Sequence, residues 1–471
     1  MILFHTSEFV IFFILFFASY WIAPKRYKNA ILLFASYIFY ASWNWKFLSL
    51  ILISTLVDYF CGLKIHNAIE KRIKENFLIL SIIVNLGLLG FFKYFNFFIE
   101  SFITLMNGLG LTWNFSALSI ILPVGISFYT FQTLSYTIDI YRGKMKPRRN
   151  IIDFALFVAF FPQLIAGPIE RARNLLPKLE AAKSFKKINF KEGFYLFIFG
   201  LFKKVVIADY VAITVNKIFS LPDPSGAQVV FGAYAFALLI YADFSGYANM
   251  ARGISCFFGI KLSVNFRLPY FAKNPSDFWK RWHITLSQWV RDYIYIPLGG
   301  SKKKLYGFMP LFITMSLMGL WHGASLNFVL WGIYWFVVTI IYRIIKNNFN
   351  FKLKHSWSRY ALSFFSVLLM LQITVYSWII FRLNSLSEIF VFTKALFLSM
   401  NFSEVFNITY IQIYLLFLFM IVYEIYQYKF KDQLIIYKQG FIPQLVFYLI
   451  LFFLYINTDA VKDQAYIYFQ F

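Results

Sequence analysis

Acidic residues are scarce in this chain, 21 Asp and Glu against 45 Lys and Arg in 471 residues, which leaves a formal net charge of +24. Charged residues of both signs make up only 14% of it, where a soluble globular chain carries about 25%. That shortage excludes the soluble globular and disordered classes. Cysteine is nearly absent too. Cys61 and Cys256 lie far apart in apolar surroundings, so neither a disulfide framework nor a cysteine metal site is expected. The chain also lacks a Walker-type phosphate loop, a dinucleotide glycine fingerprint, a His-Glu-x-x-His helix and a Gly-x-Ser-x-Gly elbow. Nucleotide hydrolysis, redox chemistry and zinc proteolysis therefore have no support, and no bound metal or cofactor is expected.

What the chain has instead is apolar mass, 60% hydrophobic and 23% aromatic. A bilayer core of roughly 30 Å takes about 20 apolar residues per helix, and such stretches recur at 8–23, 29–43, 47–63, 77–98, 117–138, 193–220, 227–249, 306–320, 326–345, 358–381, 409–427 and 441–457. Shorter apolar segments at 151–166, 253–260 and 386–400 suit re-entrant or interfacial elements, because Pro162, Gly167 and Pro168 interrupt the first. The expectation is an all-α, polytopic membrane bundle of about ten to thirteen crossings, forming one domain over residues 1–471. The first segment lacks a basic start and a small-residue cleavage pattern, so it is expected to remain as a helix.

Lys and Arg collect at 25–28, 64–74, 142–149, 171–191, 261–304 and 343–354, marking these connections as cytoplasmic. The richest, 261–304, holds Lys261, Arg267, Lys273, Lys280, Arg281, Arg291 and Lys302–Lys304 against only Asp277 and Asp292. Orientation and contact with anionic membrane lipids account for the charge as such, with no nucleic acid partner implied. A docking surface for an acidic donor is the sharper reading of 261–304.

Ionisable groups at membrane depth are costly and mark functional candidates. His5, His66 and His355 fall in polar or basic connections and read as solvated. His322 sits in Met318-Gly319-Leu320-Trp321-His322-Gly323-Ala324, deep along a span that begins near Lys304, where small neighbours let a substrate or a backbone approach the imidazole. A His with no adjacent Cys or Ser nucleophile suits general-base catalysis on a hydroxyl of the substrate, and an acyl-histidine intermediate is the chemical alternative. His283 closes Asp277-Phe278-Trp279-Lys280-Arg281-Trp282-His283; read as a helix, this run puts Trp279, Trp282 and His283 on one face, a pattern also expected of an interfacial anchor. The Arg291-Asp292 pair follows it. A third cluster, Tyr241 to Tyr247, contains Asp243 and Ser245; Asp243 needs a partner, for which Arg252 or a histidine could serve. Lys203 and Lys204 interrupt the 193–220 span and are expected to snorkel or to mark an oblique helix.

Three segments together resemble the bacterial membrane-bound O-acyltransferases: Phe160 to Pro168, Asp277 to Gly300, and Gly319-Leu320-Trp321-His322-Gly323. Within that family the chain is most similar to alginate O-acetyltransferase proteins, because Ser377-Trp378-Ile379-Ile380-Phe381-Arg382 and Tyr466 to Phe471 also look like theirs. The resemblance implies a helical bundle with re-entrant segments, His322 as the catalytic residue and His283 assisting. It implies acyl passage from a cytoplasmic thioester, acetyl-CoA or an acyl carrier, to an extracytoplasmic polysaccharide across the bacterial cytoplasmic membrane. An extracytoplasmic SGNH-hydrolase-like acetyltransferase is the expected protein partner. Trp279, Arg281, Trp282, Arg291, Asp292 and Trp321, with Asp243 and Ser245, are the expected substrate-binding residues. Family members often carry an acid where this chain has Asn249, which leaves Asp243 as the acid of its cluster. Rival readings are D-alanyl transfer to teichoic acid, peptidoglycan O-acetylation, a transporter or flippase, and a scaffold for polysaccharide export; no internal repeat of the transporter kind is evident.

Overall fold

The computed structural model describes residues 2–111, 118, 120–300, 308–348, 355–398 and 410–458. Lys302–Lys304 and Tyr466–Phe471 lie outside them. Every regular element among the described residues is helical. Six helical stretches are long and apolar enough to cross a bilayer, and four shorter apolar helices accompany them, as expected of a multi-pass membrane protein. The chain divides into two compact units, Met1–Phe197 with Ala248–Ser263, and Ile198–Tyr247 with Val264–Phe471.

The first unit contains α1 (Ser7–Ile22), α2 (Lys28–Asn44), α3 (Leu48–Asn67), α4 (Lys71–Leu89), α5 (Phe95–Gly108), α6 (Ile126–Tyr141), α7 (Ile151–Ala159), α8 (Phe161–Leu164) and α9 (Ala172–Glu180). Phenylalanine fills much of its core: Phe9, Phe12, Phe39 and Phe161 are buried, and Phe12 and Phe161 meet edge to face. Polar side chains pair across helices. Asp58 of α3 accepts hydrogen bonds from Ser81 Oγ (2.6 Å) and Asn85 Nδ2 (2.8 Å) of α4, so a carboxylate at membrane depth is satisfied within the bundle. The 151–166 segment is two short helices broken at Phe160, as the prolines predict.

The second unit takes the ends of α10 (Phe190–Phe202) and α12 (Gly226–Phe257) that fall within it, together with α11 (Asp209–Phe219). It continues with α13 (Pro275–Phe278), α14 (Ile284–Val290), α15 (Phe308–His322), α16 (Leu326–Asn348), α17 (Ser356–Arg382) and α18 (Leu386–Leu398), then helices Ile411–Phe430 and Phe441–Ile456. One sequence expectation changes here: 253–257 continues α12, a 32-residue helix, and forms no separate re-entrant segment.

Helices α15 and α16 pack backbone to backbone. A Cβ at Gly319 would fall 2.1 Å from the Phe328 carbonyl oxygen, and one at Gly332 would fall 2.3 Å from that of Met315. Only glycine permits this approach. At the turn between them, Asn327 Nδ2 donates to the Leu383 carbonyl (2.7 Å), tying the His322 end of the hairpin to the end of α17.

Candidate active site

All ten residues singled out in the sequence fall in the second unit. His322 is the last residue of α15 and is buried. Its ring meets Trp321, Trp331 and Phe381 at centroid distances of 4.9, 5.1 and 5.2 Å, all edge to face. An aromatic cage of this kind excludes water from the imidazole and fixes its plane. Of the glycines beside it, Gly319 serves backbone approach, one of the two uses the sequence left open, while Gly323 makes room for the Phe328 ring.

His283 does not sit on a helical face. The helix α13 ends after one turn, residues 279–283 form a turn, and His283 takes a left-handed conformation (φ 40°) as the N-cap of α14. The interfacial-anchor reading fails with it, since Trp282 and His283 are only 2% and 1% exposed. Two segments are cross-linked there: Arg267 N donates to the Arg281 carbonyl and Ile284 N to that of Asn265, both at 2.9 Å. The Asn265 Oδ1 also accepts from Thr285 Oγ1 at 2.7 Å. The geometry fixes the state of His283. Its Nδ1 accepts the Leu286 amide proton at 3.3 Å, so that nitrogen carries no hydrogen and the ring proton resides on Nε2. Burial presses the imidazole down to about 3, which keeps it neutral. Trp321 joins the two histidines, its ring 5.7 Å from His283 and 4.9 Å from His322.

A cavity of about 360 Å³ opens between the 276–295 segment and α15–α16. Arg267, Lys280, Arg291 and Arg343 line it, and among the described residues no carboxylate does. Leu311, Thr314, Met315 and Met318 carry its wall along α15 to one turn before His322. Trp279 lines it as well; its ring stands 6.0 Å from Trp331, which in turn touches His322. The sequence named Trp279 and Arg291 as substrate-binding residues and placed Arg267 and Lys280 in the 261–304 run read as a donor docking surface; it missed Arg343, whose only signal was its place in the basic 343–354 run.

The remaining candidates have local duties. Arg281 pairs with Asp277 (2.8 Å) and donates to the Arg267 carbonyl (3.3 Å), holding the turn. Arg291 pairs with its neighbour Asp292 at 2.7 Å. Trp282 packs against Phe266 and Trp378. Asp243 finds its partner in Lys204, whose Nζ lies 2.8 Å from both Asp243 and Asp209. This replaces the expected Arg252 or histidine, and it replaces snorkelling for Lys204, which is 1% exposed. Lys203 donates to Ser245 Oγ at 3.2 Å.

Comparison with known proteins adds four findings. Residues 148–383 match the membrane-bound O-acyltransferase family, covering every element of the site just described. A probable alginate O-acetylase of Pseudomonas syringae pv. tomato is 41% identical over 377 residues, 79% of this chain and 70% of that protein. A peptidoglycan O-acetyltransferase of Helicobacter pylori is 40% identical over 372 residues, 70% of this chain and 68% of its own length. A teichoic acid D-alanyltransferase of Bacillus subtilis is 28% identical over 247 residues, 50% of this chain and 61% of its own.

Proposed function

The chain belongs to the membrane-bound O-acyltransferase family and is an O-acyltransferase of the acetyltransferase kind; from that premise we propose that it moves an acetyl group from a cytoplasmic thioester to hydroxyls of an extracytoplasmic polysaccharide. The observation that carries the direction is the cavity lined by four cations, one of them Arg291 paired with Asp292, which starts among the basic connections and ends one turn from His322. This cation-rich lining suits the phosphates of acetyl-CoA or of a carrier-borne phosphopantetheine, and the Leu311–Met318 wall suits the acyl arm. An alginate-type acceptor fits the alginate O-acetylase relative, and the bacterial inner membrane is then the location.

In this mechanism the acceptor hydroxyl attacks the thioester carbonyl while His322 takes its proton, and the C–S bond breaks as the ester C–O bond forms. The proton passes to the departing thiolate, so thioester and alcohol become ester and thiol. His283, with its proton on Nε2, is suited to donate a hydrogen bond to the carbonyl oxygen and not to act as base. Trp321 and Trp279 shape the water-poor path between them. An extracytoplasmic SGNH-hydrolase-like acetyltransferase belongs to this proposal as a partner on the acceptor side. A His322→Ala variant tests the core of it: glycan acetylation should fall by about 10²–10⁴-fold while the protein still inserts and accumulates. Undiminished acetylation would sink the assignment.

A further inference from the structure

A second cavity, of about 500 Å³, lies at the C-terminal end of α17, between Arg382, the end of α11 and the start of α18. Its chemistry differs from that of the first. Asn216, Arg382, Asn384, Ser387 and Glu388 line it beside Phe219, bringing together amides, a hydroxyl, a cation, an acid and an aromatic face. Arg382 Nη2 donates to Asn216 Oδ1 at 2.8 Å, and its guanidinium stands 5.8 Å over the Phe219 ring. Phe219 is itself stacked on Phe392, with centroids 5.3 Å apart. The carboxylate of Glu388 receives the Asn384 amide proton at 2.9 Å, which closes the first turn of α18. Among the described residues, the Asn216 amide nitrogen, the Asn384 side chain and the second Glu388 oxygen make no further hydrogen bond. A sugar ring asks for this set: paired donors and acceptors for its hydroxyls, beside an apolar edge formed by Phe219.

The position fits as well. The ring of Phe381, next to Arg382, lies 5.2 Å from His322, and the Leu383 carbonyl is tied to Asn327 in the first turn of α16. Helix α17 leaves the basic connection 343–354 at its other end, and the Leu221–Ser225 link precedes α12, whose far end leads into the basic 261–304 run. On the sidedness proposed above, both walls of the cavity are extracytoplasmic.

We propose that this cavity is the acceptor subsite, taking one sugar unit of the glycan among Asn216, Arg382 and Glu388, which bond its hydroxyls and direct another hydroxyl toward His322. The inference rests on the function proposed above and names where its acceptor binds. The test uses the full chain in lipid nanodiscs, a mannuronate tetrasaccharide as probe, and acetyl-CoA as donor. Equilibrium binding of the tetrasaccharide should weaken about tenfold or more in Asn216→Ala and Glu388→Gln, each of which leaves one ring-facing partner short. In transfer assays the same variants should raise the acceptor KM and leave the donor KM unmoved. His322→Ala should bind the tetrasaccharide as the wild type does while losing transfer. If the wild type binds the saccharide but transfers nothing, the proposed function fails and the subsite stands. If transfer proceeds while both substitutions leave binding and acceptor KM unchanged, the subsite fails and the function stands. Acetylation of a partner protein with no saccharide binding at all would also overturn the subsite.

Discussion

His283 accepts the Leu286 amide proton through Nδ1, and that single bond gives one side chain two duties: it caps α14 and it fixes its own tautomer. The two are separable by substitution. Asparagine tolerates the left-handed backbone and caps helices well, but has nothing at the Nε2 position. The His283→Asn variant should keep its melting temperature within a few degrees of wild type and lose about 10²-fold in acetyl transfer, the cost of an oxyanion donor. His283→Val should also lose stability, because the cap is worth about 1 kcal/mol and a β-branched residue resists φ > 0. Full activity in His283→Asn would refute the donor role.

Burial of His283 also predicts how stability depends on acid. Its folded value, about 3, lies below the ordinary 6.5, so between those values the unfolded chain binds the proton more readily. Its contribution is whole above about pH 6.5 and is lost as pH falls toward 3. The wild type should therefore lose more thermal stability between pH 7 and pH 5 than His283→Asn does, as read by melting curves in one detergent. Equal losses would show that the imidazole does not titrate on unfolding.

Lys204 shares its ammonium between Asp209 and Asp243, and this makes the role of Asp243 testable. Breaking a buried ion cluster by removing its cation costs about 3–5 kcal/mol, so Lys204→Met should fail to accumulate. Asp243→Asn keeps the shape and leaves Lys204 paired with Asp209. If Asp243 is only structural, that variant should be less stable with donor and acceptor KM unchanged; a raised KM in a protein of wild-type stability would mark a substrate contact.

Much of this arrangement was legible in the sequence because it is local. The Met318–Ala324 run placed His322 at a helix end among glycines, and Pro162 announced the break at Phe160. The conformation of His283 was not legible, since the spacing of Trp279, Trp282 and His283 fits a helix as well as a turn. What decides it is the pairing of Arg281 and Ile284 with Arg267 and Asn265, contacts between segments about 15 to 20 residues apart. The partner of Asp243 was hidden for the same reason, 39 residues away in sequence. Both misses concern polar groups whose satisfaction depends on tertiary structure, which periodicity does not report.

The cations of the first cavity should act on donor use and not on topology. Lys280 and Arg343 both line it. Lys280→Glu and Arg343→Glu should raise the KM for acetyl-CoA about tenfold each, with a weaker salt dependence than wild type, because a favourable charge contact is replaced by a repulsive one. Arg281→Glu should instead loosen the 277–283 turn and lower stability, since its partners are Asp277 and the Arg267 carbonyl. Unchanged donor KM in both cavity variants would return the positive charge to lipid contact.

Gly319 controls the distance between α15 and α16, and so the placement of His322 one turn later. A methyl group there would stand 2.1 Å from the Phe328 carbonyl oxygen, a backbone atom that cannot turn aside. Gly319→Ala must therefore separate the helices by about an ångström or more, carrying His322 away from Trp331 and from the end of the first cavity. A misplacement of about 1 Å can cost on the order of 10²-fold in rate. Gly87 of α4 offers the contrast, because nothing lies within 4 Å of a Cβ added there. Gly87→Ala should be neutral or stabilising by up to about 1 kcal/mol and should leave transfer unchanged. Comparing the two variants in membranes, by accumulation and by glycan ester content, separates packing at the hairpin from a general intolerance of alanine in these helices. Equal activity in both would mean that close approach of α15 and α16 does not position the histidine.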